Sequence, residues 1–196
     1  MKQIQRKSTL RWQSQKGSTL IELMVAMLVL AIGLGGVTTL LGAAIASNNR
    51  NGRDTTATLL AQMVIEQISA QDVYSSFDIP ITDCAGNALS INSVPGAVGT
   101  GAGATLKADG TIDFTQDPTN LIATNYAMQY VDCSTAGGIQ TTYDVRWNVM
   151  SVSTNTSTRM ITAAARPLAS NVKQLGGFFF ALPVNLRGIS GPVIGE

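Results

Sequence analysis

Lys16-Gly17-Ser18-Thr19-Leu20-Ile21-Glu22-Leu23 leads into MVAMLVLAIGLGGVTTLLGAAIA, residues 24–46, which carries no charge at all. The next charged residue is Arg50. Lys2, Arg6, Lys7, Arg11 and Lys16 all precede the apolar run, and no acid does. About 24 apolar residues at 1.5 Å each make roughly 36 Å of helix, enough to span a ~30 Å hydrocarbon core with some tilt. The cluster of positive charge before the run predicts a cytoplasmic N-terminus and an extracytoplasmic C-terminal part. A conventional secretory signal does not fit. The run is too long, and the small-residue junction Gly17-Ser18 stands before it rather than after it. Cleavage at that junction removes the basic leader and leaves the hydrophobic helix on the mature chain.

Composition agrees with a membrane-linked protein. Charged residues make up 13% of the 196-residue chain, against about 25% in ordinary soluble domains. Loss of residues 1–17 would take five of the 13 basic residues and none of the 12 acidic ones, leaving a net charge of −4. That disfavours a general nucleic-acid binder, which needs a basic footprint. There is no histidine, which excludes Ser-His and Cys-His catalysis and the commonest metal ligand. The two cysteines, Cys84 and Cys133, follow the apolar run. In an oxidising compartment they would pair; the alternative is two buried thiols.

Glu22 admits two readings. It lies in the first helical turn, where the macrodipole favours an acid. Alternatively, cleavage after Gly17 frees an α-amino group at Ser18, one turn away, and amine and carboxylate pair within one chain or between neighbours. An unpaired charge in apolar surroundings is costly, so the second reading fixes the stagger of packed helices.

Residues 16–26, KGSTLIELMVA, resemble the class III signal of type IV prepilins. That resemblance implies cleavage by prepilin peptidase between Gly17 and Ser18, N-methylation of Ser18, and a role for Glu22 in aligning a subunit with its neighbour during assembly. Ser18 departs from the family, which usually has Phe there. Residues 26–34, AMLVLAIGL, Tyr143-Asp144-Val145-Arg146-Trp147-Asn148-Val149 and Arg159-Met160-Ile161-Thr162 are similar to minor pilins of the PilV family. Here the second strand runs into Ala163-Ala164-Ala165-Arg166-Pro167 and lacks the family's closing aromatic.

The resemblance implies an α+β type IV pilin fold, with a long N-terminal helix packed on a small antiparallel sheet. Residues 1–17 would be the leader. Residues 18–73 would be the helix, with 18–46 for membrane or filament and 51–73 amphipathic. Residues 74–196 would be the extracytoplasmic β-rich head. Leu60, Met63, Val64, Gln67 and Ile68 share one helical face by spacing. Gly33, Gly35 and Gly36 serve either close helix packing or local unwinding during assembly. The Gly99–Gly103 run reads as a flexible surface loop rather than a phosphate loop, since no clear strand precedes it and no helix follows. Residues 125–133, 139–153 and 158–165 read as strands, with Tyr143, Val145, Trp147 and Val149 on one face. Phe178-Phe179-Phe180 is either core or a subunit contact.

No catalytic constellation emerges, and no cofactor or metal is expected; Asp109, Asp113 and Asp117 lack the EF-hand pattern. The expected role is structural: a minor type IV pilus subunit, working with prepilin peptidase, the inner membrane before assembly, and other major and minor pilins. A type II secretion pseudopilin and a single-span anchored periplasmic protein are the alternatives.

Overall fold

The computed structural model describes residues 19–72, 78–133, 140–154, 158–168 and 182–191. The expectations for the leader, Gly17, Ser18, Val73 and Phe178–Phe180 fall outside these residues. A long helix, α1 (Leu20–Ser69), opens the described chain. It is followed by β1 (Asp78–Thr82), β2 (Ala88–Asn92), β3 (Ala102–Gly103), a short α2 (Pro118–Ala123), β4 (Ala127–Asp132), β5 (Thr141–Ser151), β6 (Arg159–Pro167) and β7 (Val184–Ser190). The fold is α+β and consistent with that of a type IV pilin. The chain divides into two compact units at residues 48 and 49.

In the first unit the helix passes through Gly33, Gly35 and Gly36 without a break. Thr38 and Thr39 donate their hydroxyls back to the carbonyls of Gly35 and Gly36, at 2.9 and 2.8 Å.

In the second unit, residues 49–69 of α1 bury Ala57, Leu60, Ala61, Val64 and Ile68, at spacings of three and four. The sequence reading placed Gln67 on this face; it is exposed, and Ala57 and Ala61 complete the stripe instead. Small side chains there allow close approach to the sheet, which a long amide would block.

The sheet is antiparallel. Its order is β3-β5-β6-β7, with β4 also paired to β5. Alternation divides the side chains of β5 and β6 between two faces. Tyr143, Val145, Trp147 and Val149 stand opposite Pro167, Ala165, Ala163 and Ile161. All of these but Pro167 belong to the hydrophobic core that includes the helix stripe. Trp147 opposite Ala163 pairs the largest side chain with one of the smallest, so the alanine run does the work of accommodating bulk from β5.

The other face is buried as well. Asp144, Arg146, Asn148 and Thr162 are at most 5% exposed. Residues 104–117 cover them in part, and the expectation of a flexible loop at Gly99–Gly103 fails. Gly96 bridges to Met150, and β3 pairs Ala102 and Gly103 with Val149 and Asn148. Gly103, at φ 99°, lies so close to the Trp147 carbonyl and the Tyr126 ring that a Cβ could not fit. The glycines fold this stretch onto β5 rather than freeing it. β1 and β2 form a separate two-stranded hairpin.

Candidate functional site

The first candidate is the described part of the N-terminal unit. All its described residues, 19–48, are exposed. Fifteen large apolar side chains between Leu20 and Ile45 are each at least 54% exposed. At about 1.5 kcal/mol or more apiece, covering them is worth on the order of 20 kcal/mol. A helix that is apolar all round is built for a membrane or for burial among other helices. It is long and apolar enough to cross a membrane. Its one carboxylate, Glu22, sits in the first turn. The N–H groups of Glu22 and Leu23 both donate to the Thr19 carbonyl, at 3.0 and 3.2 Å. Gly17 and Ser18, the residues of the expected cut and methylation, lie outside the described part.

The second candidate is the set of polar side chains that fasten the head to residues 49–69 of α1. The Tyr143 hydroxyl donates to the Arg53 carbonyl at 3.5 Å, near the beginning of that segment. Burial pushes the Tyr143 phenol upward, partly offset by hydrogen bonding with Thr56. Arg159, fully buried, reaches the other end. Its guanidinium donates to the carbonyls of Ile68, Gln71 (2.6 Å) and Ser93 (3.4 Å). A cation at helix-terminal carbonyls also answers the macrodipole. Burial lowers the Arg159 pKa, and Asp72 opposes that shift. Trp147 donates its indole N–H to the Asn92 carbonyl at 2.9 Å, tying β5 to β2. The tyrosine, tryptophan and arginine that marked the family resemblance are therefore fastening points of the head.

Two polar clusters had no reading in the sequence. Asp144 accepts from Arg146 at 2.9 and 2.8 Å and from Arg166 at 3.3 Å. Both guanidinium groups lie over the Phe114 ring, at 4.9 and 4.5 Å. Arg146 also donates to the Gln116 carbonyl at 2.7 Å, closing residues 113–116 over the sheet. The second cluster surrounds Cys84–Cys133, which form a disulfide. Beside it Asp83 accepts from Ala85 N–H at 3.0 Å, from the backbone and side chain of Asn87 at 2.8 Å each, and from Val131 N–H at 3.2 Å. Burial raises the Asp83 pKa, but these donors outweigh it and hold the carboxyl below its ordinary value.

Asp109, Asp113 and Asp117 turn out to share one device. Each accepts from the N–H and hydroxyl of a threonine two residues on: Thr111, Thr115 and Thr119. Those bonds lower all three pKa values. No group of three metal-ligating side chains occurs among the described residues.

Residues 12–38 match the family model described as the Prokaryotic N-terminal methylation motif. This supports a type IV prepilin-like protein, a pilin-like or pseudopilin subunit with a membrane-anchored precursor. No curated protein and no solved structure shows a significant match to the chain.

Proposed function

We propose that the chain is a minor type IV pilus subunit, similar to the PilV family, with an assembly role rather than an enzymatic one. The observation that carries this reading is the methylation motif at residues 12–38 leading straight into a wholly exposed apolar helix. The precursor spans the inner membrane once, with its leader in the cytoplasm. Prepilin peptidase cuts between Gly17 and Ser18 and methylates Ser18. The helix then leaves lipid for the company of other major and minor pilins, and Glu22 sets the stagger. The Tyr143–Trp147 and Arg159–Ile161 strands support the finer assignment, because their marked residues hold the head together. The mature protein resides in the pilus or at the cell surface.

The mass of the mature N-terminus from cells tests the reading. A chain beginning at Ser18, methylated, is expected; an intact Met1 would overturn it. A type II secretion pseudopilin would share the same N-terminal chemistry. Deleting the gene separates the two: loss of surface pili and twitching is expected here, whereas loss of a secreted enzyme with normal pili would favour secretion.

A further inference from the structure

The face of β5 that carries Asp144, Arg146 and Asn148 ends at Met150. Met150 stands opposite Met160 of β6, and Met160 opposite Ile189 of β7. Both methionines are half-buried and Ile189 is 74% exposed, so this apolar row reaches the surface. Residues 96–101 fold against its β5 end. Gly96 donates its N–H to the Val149 carbonyl at 2.9 Å and accepts from the Ser151 N–H at 3.1 Å, which pins the chain on both sides of Met150. The Gly101 N–H donates to the Ala97 carbonyl at 2.9 Å and closes the turn. Within that turn Gly99, at φ 89°, donates its N–H to the Met150 sulfur at 3.1 Å. A thioether is a weak acceptor. Its sulfur has two lone pairs; here one is engaged and the other is left. Met160 has no such donor among the described residues.

We propose that Met150 is an oxidation site at which one of the two sulfoxide epimers is favoured. A hydroperoxide supplies the oxygen. The free lone pair of the sulfur attacks one peroxide oxygen and the O–O bond breaks. The departing hydroxide takes the proton of the transferred hydroxyl and leaves as water. Sulfur gives up two electrons and the peroxide gains them. The sulfoxide is chiral at sulfur, and the lone pair that reacted sets its hand. Gly99 occupies one side of the Met150 sulfur, so oxygen arrives on the other. Methionine sulfoxide reductases act on one epimer each, so repair at this position falls to one class of enzyme. The other described methionines are placed differently. Met128 is 2% exposed, Met63 packs against the core, and Met24 and Met27 lie on the apolar helix built for lipid or other helices. The inference concerns the head alone and does not depend on whether the assembly is a pilus or a secretion apparatus.

Limited oxidation of the full chain with hydrogen peroxide, in micelles of a peroxide-free detergent, tests it. Trypsin cuts after Arg159, so Met150 and Met160 fall on separate peptides. Each peptide is weighed before and after treatment with the reductase for either epimer. Met150 should oxidise ahead of Met128, and its two epimers should differ about fivefold, as one hydrogen bond of ordinary net strength allows. Met160 should give a ratio near one, and so should Met150 in the urea-unfolded chain. In Gly96→Ala the new Cβ would lie 2.1 Å from the Gly101 carbonyl carbon, so the turn must move off Met150 and the ratio should fall toward one. If that variant fails to fold, Met150 against Met160 in the unaltered protein decides alone. Met150 oxidising no faster than Met128 would overturn the proposal. So would a ratio near one at Met150 in the folded chain, or an equal bias at Met160. A folded Gly96→Ala that keeps the full bias would also overturn it, since the turn would then not be its cause.

Discussion

Replacing Arg159 by methionine removes the guanidinium and keeps most of the aliphatic bulk. Three carbonyls lose a donor: Ile68, Gln71 and Ser93. Ile68 keeps the Gln71 N–H at 3.2 Å, so the main loss falls on the Gln71 carbonyl. An unsatisfied buried acceptor costs about 1–3 kcal/mol. Against this, the variant no longer buries a charge, whose desolvation costs several kcal/mol in part offset by its bonds. The expected balance is a loss of about 3 kcal/mol, or a fall in Tm of about 6–12 °C for a chain of this size. Arg159→Lys keeps the charge but not the planar fork and should lose about half as much. Urea unfolding of the full chain in micelles measures the total. Hydrogen exchange locates it, with faster exchange expected at residues 64–71. A methionine variant within about 0.5 kcal/mol of the parent, with unchanged exchange there, would refute the fastening role and leave Arg159 as filler.

Further outcomes are expected elsewhere. Reducing Cys84–Cys133, which are 49 residues apart, should cost about 4 kcal/mol in the chain-entropy picture; urea midpoints with and without reductant measure it, with exchange at β1 and β2 rising first. Asp83 has a depressed folded pKa, so its stabilisation is present above the unfolded value near 3.8 and is lost as pH falls through the lower folded value. Asp83→Asn should therefore flatten the acid side of the stability–pH curve, and an unchanged acid limb would count against the network. Glu22→Ala should leave N-terminal processing intact by mass spectrometry yet reduce recovery of the subunit in sheared filaments; full recovery would sink the charge-register reading.

The parts of this fold that were legible in the sequence are those where one side chain type repeats with one period. Residues 143–149 alternate cleanly, and β5 lies where they place it. The amphipathic helix was readable too, except that hydrophobic counting passed over Ala57 and Ala61 and took in Gln67. Residues 96–117 were opaque for a physical reason. Glycine carries no periodic signal, so a folded edge such as Gly101–Gly103 looks like slack. The polar face of β5 was opaque too. Asp144, Arg146 and Asn148 carried no reading, because mutual charge and hydrogen-bond compensation across 144, 146 and 166 is invisible until those strands are set side by side. At the candidate site, Glu22 and the cysteine pair could be marked from sequence. The fastening roles of Tyr143, Trp147 and Arg159 could not, because their acceptors are backbone carbonyls far along the chain.

Those distances set a timetable for biosynthesis. The Arg159 donor to the Ile68 carbonyl lies 91 residues further along the chain. At roughly 5–20 residues per second, the apolar stripe of α1 waits about 5–20 s after its own synthesis before its fastener exists. During that interval the β5 and β6 part of the core that holds Leu60, Val64 and Ile68 is still incomplete. The β5–β6 hairpin is local, and it brings Tyr143, Trp147 and Arg159 into being nearly together. Completion of the head is therefore a late event, and the fastening contacts of Tyr143, Trp147 and Arg159 form nearly together.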